Sequence, residues 1–180
     1  DGSERQARAQ LLKSLQRAAT KAESKDRLRA FAKLTTMVDG EPRLIDDPPL
    51  VVPVDKLYSG RDRDEMIANV RAALRAYRQT LQPERRALFE RYRMVDMARK
   101  VVGVGSVGMR AWIVQLVGRD DGDPLLIQVK EAESSVLEAY LPSSSYRFHG
   151  RRVVEGQRLM QSASDIFLGW HRVEQGIDGR

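Results

Sequence analysis

The stretch Val101-Val102-Gly103-Val104-Gly105-Ser106-Val107-Gly108-Met109-Arg110-Ala111-Trp112-Ile113-Val114-Gln115-Leu116-Val117 decides how this chain is read. Gly103 to Gly108 matches G-x-G-x-x-G, a pattern that is weak on its own. The residues after the last glycine separate two folds. A dinucleotide-binding βαβ unit needs a helix opening at the last glycine and an acidic residue about twenty positions further on. Here Trp112, Ile113, Val114 and Val117 favour a strand instead. The chain then turns through Asp120-Asp121-Gly122-Asp123, and no second parallel strand ends on an acid. With Met94 to Val102 before the glycines and Leu125 to Lys130 after the turn, the short connections predict a three-stranded antiparallel meander.

Towards the N-terminus the pattern is helical. Ala7, Leu11, Leu12, Leu15, Ala18 and Ala19 fall at helical spacing over residues 4–20. Ser24 is placed to cap a second, short helix through Leu28, Phe31, Ala32 and Leu34. Asp39-Gly40 separates two β-prone runs, which predicts a hairpin near 35–45. Leu50 to Val54 is extended, because proline disfavours helix before it. A longer helix starts near Asp62 with Met66, Ile67, Val70, Ala73, Leu74, Tyr77 and Leu81 as its apolar stripe. Pro83 suits the first position of another helix. Arg71, Arg75 and Arg78 lie largely off the stripe and read as a solvated face. After the meander a helix is expected from about Phe148 to Ser162. The fold class is α+β, with a mostly helical segment over residues 1–93 and the meander with its packing helix over 94–180.

Strand, glycine loop, strand is an order that resembles the phosphate-covering loop of protein kinases, where glycine lets backbone amides approach phosphate oxygens. Ile127-Gln128-Val129-Lys130 resembles the lysine-bearing end of the next kinase strand. Lys130 is the only lysine in residues 101–180 and stands 22 residues beyond Gly108. The alternative for it is an ordinary solvated lysine at a strand end. A helical carboxylate would hold such a lysine in place. Glu155 is the choice, with Glu131, Glu133 and Glu138 as competitors.

Composition narrows the chemistry further. Among 180 residues there is no cysteine, which excludes disulfides, thiolate zinc sites and cysteine nucleophiles. Two histidines, His149 and His171, are too few for a histidine-rich metal site. No apolar run reaches the length of a membrane span. The net charge of +6 is uneven, being +7 over residues 1–100 and −1 over 101–180. Arginines dominate the basic residues and mix with acids, without the interleaved aromatics of a base-stacking surface. Nucleic acid is therefore not an expected partner.

Several blocks resemble a bacterial family called domain of unknown function 2252. They are Tyr92 to Gly108, Pro124 to Ala132, Ser135 to Glu138, Arg152 to Gln161 and Ser164 to Trp170. The resemblance implies a protein-kinase-like fold, circularly permuted. It also implies a Gly-Asp-x-His-x-x-Asn segment and an aspartate-rich metal-binding segment, neither of which occurs in this chain. With Asp1 first and Gly179-Arg180 last, the chain reads as an incomplete piece, its nucleotide-binding lobe truncated at the C-terminus.

The resulting expectation is the ATP-binding portion of a kinase-like phosphotransferase of unknown acceptor, inactive alone. Gly103, Val104, Gly105, Ser106, Val107 and Gly108 would cover the phosphates, while Lys130 contacts them and Glu155 holds Lys130. ATP and Mg²⁺ are implied, with no metal ligand in this chain. Its expected partners are a nucleotide, a phosphoryl acceptor and the remainder of its own polypeptide, in the cytoplasm and without a membrane. The alternatives are a pseudokinase-like regulatory nucleotide-binding module and a basic helical interaction module.

Overall fold

The computed structural model describes residues 29, 31–101, 103, 108–120 and 122–173. The helix expected over residues 4–20 lies outside them, and of the second helix residues 31–34 are helical. The chain divides into two compact units after Arg43.

In the first unit, β1 (Thr35–Val38) pairs with β2 (Glu41–Leu44). Asp39 and Gly40 both have positive φ, at 51° and 81°. Two such residues make the tight turn whose twist matches antiparallel strands, which is why the Asp-Gly pair forecast the hairpin.

The second unit is built on a four-stranded antiparallel sheet of order β3-β4-β5-β6. Its strands are β3 (Val51–Pro53), β4 (Arg93–Lys100), β5 (Ala111–Val117) and β6 (Pro124–Lys130). The last three are the expected meander. The first is an addition: the extended run before α1 (Val54–Leu57) pairs with the outer edge of β4, Val51 opposite Lys100 and Pro53 opposite Ala98.

Helices α2 (Gly60–Arg78) and α3 (Pro83–Phe89) supply the layer on one face. Met66, Val70, Leu81 and Phe89 share one core with Met97, Trp112, Val114 and Leu116. Pro83 occupies the first turn of α3, where a missing N–H costs nothing. All seven residues of β5 are buried, so both faces of this central strand are covered. That explains why its sequence is a continuous apolar run rather than an alternation.

Beyond the sheet, Val136–Ala139 forms a single 3₁₀ turn and α4 (His149–Met160) comes next. The segment after α4 folds back: the Tyr77 hydroxyl donates to the Phe167 carbonyl, and Phe89 meets both the Tyr77 and Phe167 rings edge-on at 5.4 Å. Trp170 stacks on Phe148 at 5.5 Å. No helix among the described residues is long and apolar enough to cross a membrane.

Candidate functional site

Antiparallel pairing determines which residues meet at the end of the sheet that carries the glycines. β4 ends on Lys100 and β5 begins at Ala111, so residues 101–110 leave and rejoin the sheet at one end. Ala111 lies opposite Lys130, which brings the last residue of β6 to that same end. Val51, the first residue of β3, lies opposite Lys100 and completes the row. Of the predicted loop, Val104, Gly105, Ser106 and Val107 lie outside the described residues. Gly103 and Gly108 are described. Among the described residues a Cβ added to either would meet nothing within 4 Å, and Gly108 has φ +88°, where glycine alone is free of strain.

The candidate acids are distributed among arginines. Glu131 takes a two-pronged contact from Arg110, at 3.2 and 3.0 Å, in continuation of the β5–β6 ladder. Glu138 lies 3.9 Å from Arg152, which also donates to the Glu133 carbonyl at 2.6 Å. Glu155 accepts from Arg158 at 3.2 Å, one turn along the same helix. Arg158 in turn donates to the Leu168 carbonyl at 3.0 Å. The structure thus does not bring Glu155 and Lys130 into an ion pair; Glu155 instead braces the segment that folds back after α4. Lys130 is exposed and makes no ion pair among the described residues.

Sequence reasoning missed a second lysine at this end. Between Met94 and Asp96 the register of β4 shifts by one residue: Met94 faces Leu116, and Asp96 faces Gln115. This bulge reverses the alternation. Counted regularly from Met94, Lys100 falls on the helix-covered face. After the bulge Met97 and Arg99 take that face, opposite Val114 and Trp112. Lys100 then points to the other side, as do Ala98 and Ile113. Asp96 braces the bulge, accepting from Leu44 N at 2.9 Å and Met97 N at 2.8 Å. The position of Lys100 three residues before Gly103 was the available signal.

The aspartate turn between β5 and β6 is occupied by its own hydrogen bonds. Asp120 accepts from Gly122 N at 3.0 Å and pairs with Arg119 at 3.1 Å. Asp123 accepts from the Tyr92 hydroxyl at 3.1 Å. Asp121 lies outside the described residues. Among the described residues no three His, Cys, Asp or Glu side chains are grouped to hold a metal ion.

A family model described as "Uncharacterized protein conserved in bacteria (DUF2252)" matches residues 2–178, and the chain belongs to that family. Searches of curated proteins and of solved structures found no match.

Proposed function

We propose that this family member binds the phosphates of a nucleotide at the glycine-bearing end of its sheet, as part of a kinase-like phosphotransferase of unknown acceptor. One observation carries the reading. Lys130 ends β6 at the place where residues 101–110 depart, without a carboxylate partner among the described residues, while Glu131, Glu138 and Glu155 are each engaged by an arginine. An ammonium offers three donors on a flexible stem and suits a phosphate as a point charge. The open surroundings of Gly103 and Gly108 suit backbone amides turned towards anionic oxygens. Phosphoryl transfer needs metal ions to neutralise developing charge. Among the described residues no three His, Cys, Asp or Glu side chains are grouped to hold such an ion.

A second reading, a nucleotide-binding regulatory module without transfer, is favoured by the Glu155–Arg158 pair. The carboxylate best placed in sequence to hold the lysine is engaged elsewhere. Titration of the whole chain with ATP–Mg²⁺ by calorimetry, beside Lys130→Ala, tests the shared premise. Losing a charge-assisted contact should weaken binding about tenfold or more. Unchanged affinity in the variant removes Lys130 from the site. Release or transfer of the γ-phosphate then separates the two readings, since only the first expects it.

A further inference from the structure

Lys130 does not stand alone at the loop end. Ala111 lies directly opposite Lys130, so the two side chains leave the same face of the sheet. Arg99 lies opposite Trp112, which places Lys100 one residue on, level with Ala111 from the other side. Lys100, Ala111 and Lys130 therefore form one row across three strands, on the face turned away from α2 and α3. Two strand spacings separate the lysines, about 10 Å between their Cα atoms. Ala111 between them is buried, whereas Lys130 is exposed and Lys100 half-buried, so their ammonium groups can meet only past the strand ends. Lys100, like Lys130, forms no ion pair among the described residues. Arg110, the other cation bordering this row, is turned to Glu131.

Two ammonium groups without an ion pair among the described residues, on neighbouring strand ends of one sheet face, make a place for a multiply charged anion. The geometry points to Lys100 as a second phosphate-binding residue, holding a di- or triphosphate group between itself and Lys130 at the strand ends. The inference rests on the nucleotide reading above and sharpens it. A clamp of two cations selects for chain length in the phosphate moiety: ATP and ADP span both lysines, whereas the single phosphate of AMP reaches one. Arg99 is a built-in control, since it carries the same charge one residue away on the opposite face.

The test compares the whole protein with Lys100→Gln, Lys100→Arg, Lys130→Gln and Arg99→Gln. Calorimetry would monitor titration with ATP, AMP and inorganic tripolyphosphate. ATP and tripolyphosphate should each bind about tenfold more weakly to Lys100→Gln and to Lys130→Gln, from the loss of one charge-assisted contact. Arg99→Gln should stay within about twofold of the parent, Lys100→Arg should recover most of the affinity lost in Lys100→Gln, and AMP should show little preference among the variants. A parallel thermal melt identifies a variant that binds poorly only because it is unfolded, in which case Lys100→Arg decides by retaining affinity. Parent-like ATP and tripolyphosphate binding by Lys100→Gln, with loss in Lys130→Gln, overturns the clamp and leaves the nucleotide reading standing. Tripolyphosphate binding that depends on both lysines, without any ATP binding, keeps the clamp and removes the nucleotide. A parent protein that binds neither compound overturns both.

Discussion

Replacing Asp96 with alanine should disturb stability and ligand binding together, because one carboxylate sets the phase of the strand that presents Lys100. Its two oxygens accept from Met97 N at 2.8 Å, inside the bulge, and from Leu44 N at 2.9 Å, 52 residues away in sequence. Both bonds are partly buried. A buried amide left without its acceptor costs about 1–3 kcal/mol. Water can reach partly buried amides, so the lower half of that range applies to each, giving about 2–4 kcal/mol in total. At this chain length each kcal/mol moves the melting temperature by about 2–4 °C, so a fall of about 5–15 °C is expected. Asp96→Asn keeps one acceptor oxygen and should lose about half as much. Circular-dichroism melts and urea titrations measure the stability. ATP titration measures the second effect, since a collapsed bulge must turn either Met97 or Lys100 to the wrong face. An alanine variant that melts within about 2 °C of the parent and binds ATP equally well would refute the reasoning at both levels.

Three further outcomes are expected. Gly118→Ala drives a Cβ into Asp123 Oδ2 and to 3.1 Å from the Tyr92 ring, so it must push Asp123 off the Tyr92 hydroxyl. A loss of about 1–3 kcal/mol in urea melts should result, and most of it should disappear in an Asp123→Ala background. Gly169→Ala brings a Cβ to 2.7 Å from the Tyr77 ring, which Phe89 already holds edge-on, and should lower the melting temperature by several degrees. Burial, reinforced by Asp165, pushes the Tyr77 hydroxyl up to about 12 from 10.0. The folded state keeps this proton more tightly, so its contribution is complete below pH 10 and is lost as pH rises towards about 12. Stability measured across that window should fall more steeply in the parent than in Tyr77→Phe.

The strands of the meander were legible because β-branched and aromatic residues are concentrated between turn residues, and Asp39-Gly40 dictated its own turn. The fourth strand was visible only as an extended run. Val51–Pro53 is three residues long, and its membership of the sheet depends on pairing with β4, some 45 residues away. No local pattern encodes a partner at that distance. The ten-residue loop and Lys130 were legible as neighbours because hairpin geometry brings adjacent strand ends together. Lys100 was hidden by a different cause. Face assignment by alternation holds only in a regular strand, and nothing in Arg93-Met94-Val95-Asp96 announces an extra residue. The preference of Glu155 for Arg158 lay in plain view as an i, i+3 spacing. It competes with a long-range pairing to Lys130 whose distance sequence does not contain.

The division of labour between arginine and lysine connects these details. The guanidinium fork matches a carboxylate in two places at once, as Arg110 does with Glu131, so arginine is well suited to pairing with acids at fixed positions. Arg152 and Arg158 engage Glu138 and Glu155 in the same part of the chain and add bonds to backbone carbonyls. Once these pairs form, the near-neutral total over residues 101–180 no longer describes the loop end. Arg110, Arg152 and Arg158 pair with Glu131, Glu138 and Glu155, whereas Lys100 and Lys130 make no ion pair among the described residues. Lysine is the better residue to leave uncancelled at a site that must take up and release an anion, because its charge sits on a mobile stem and prescribes no planar geometry. Lys100 shares the face of Lys130 because the register of β4 shifts at the bulge that Asp96 braces.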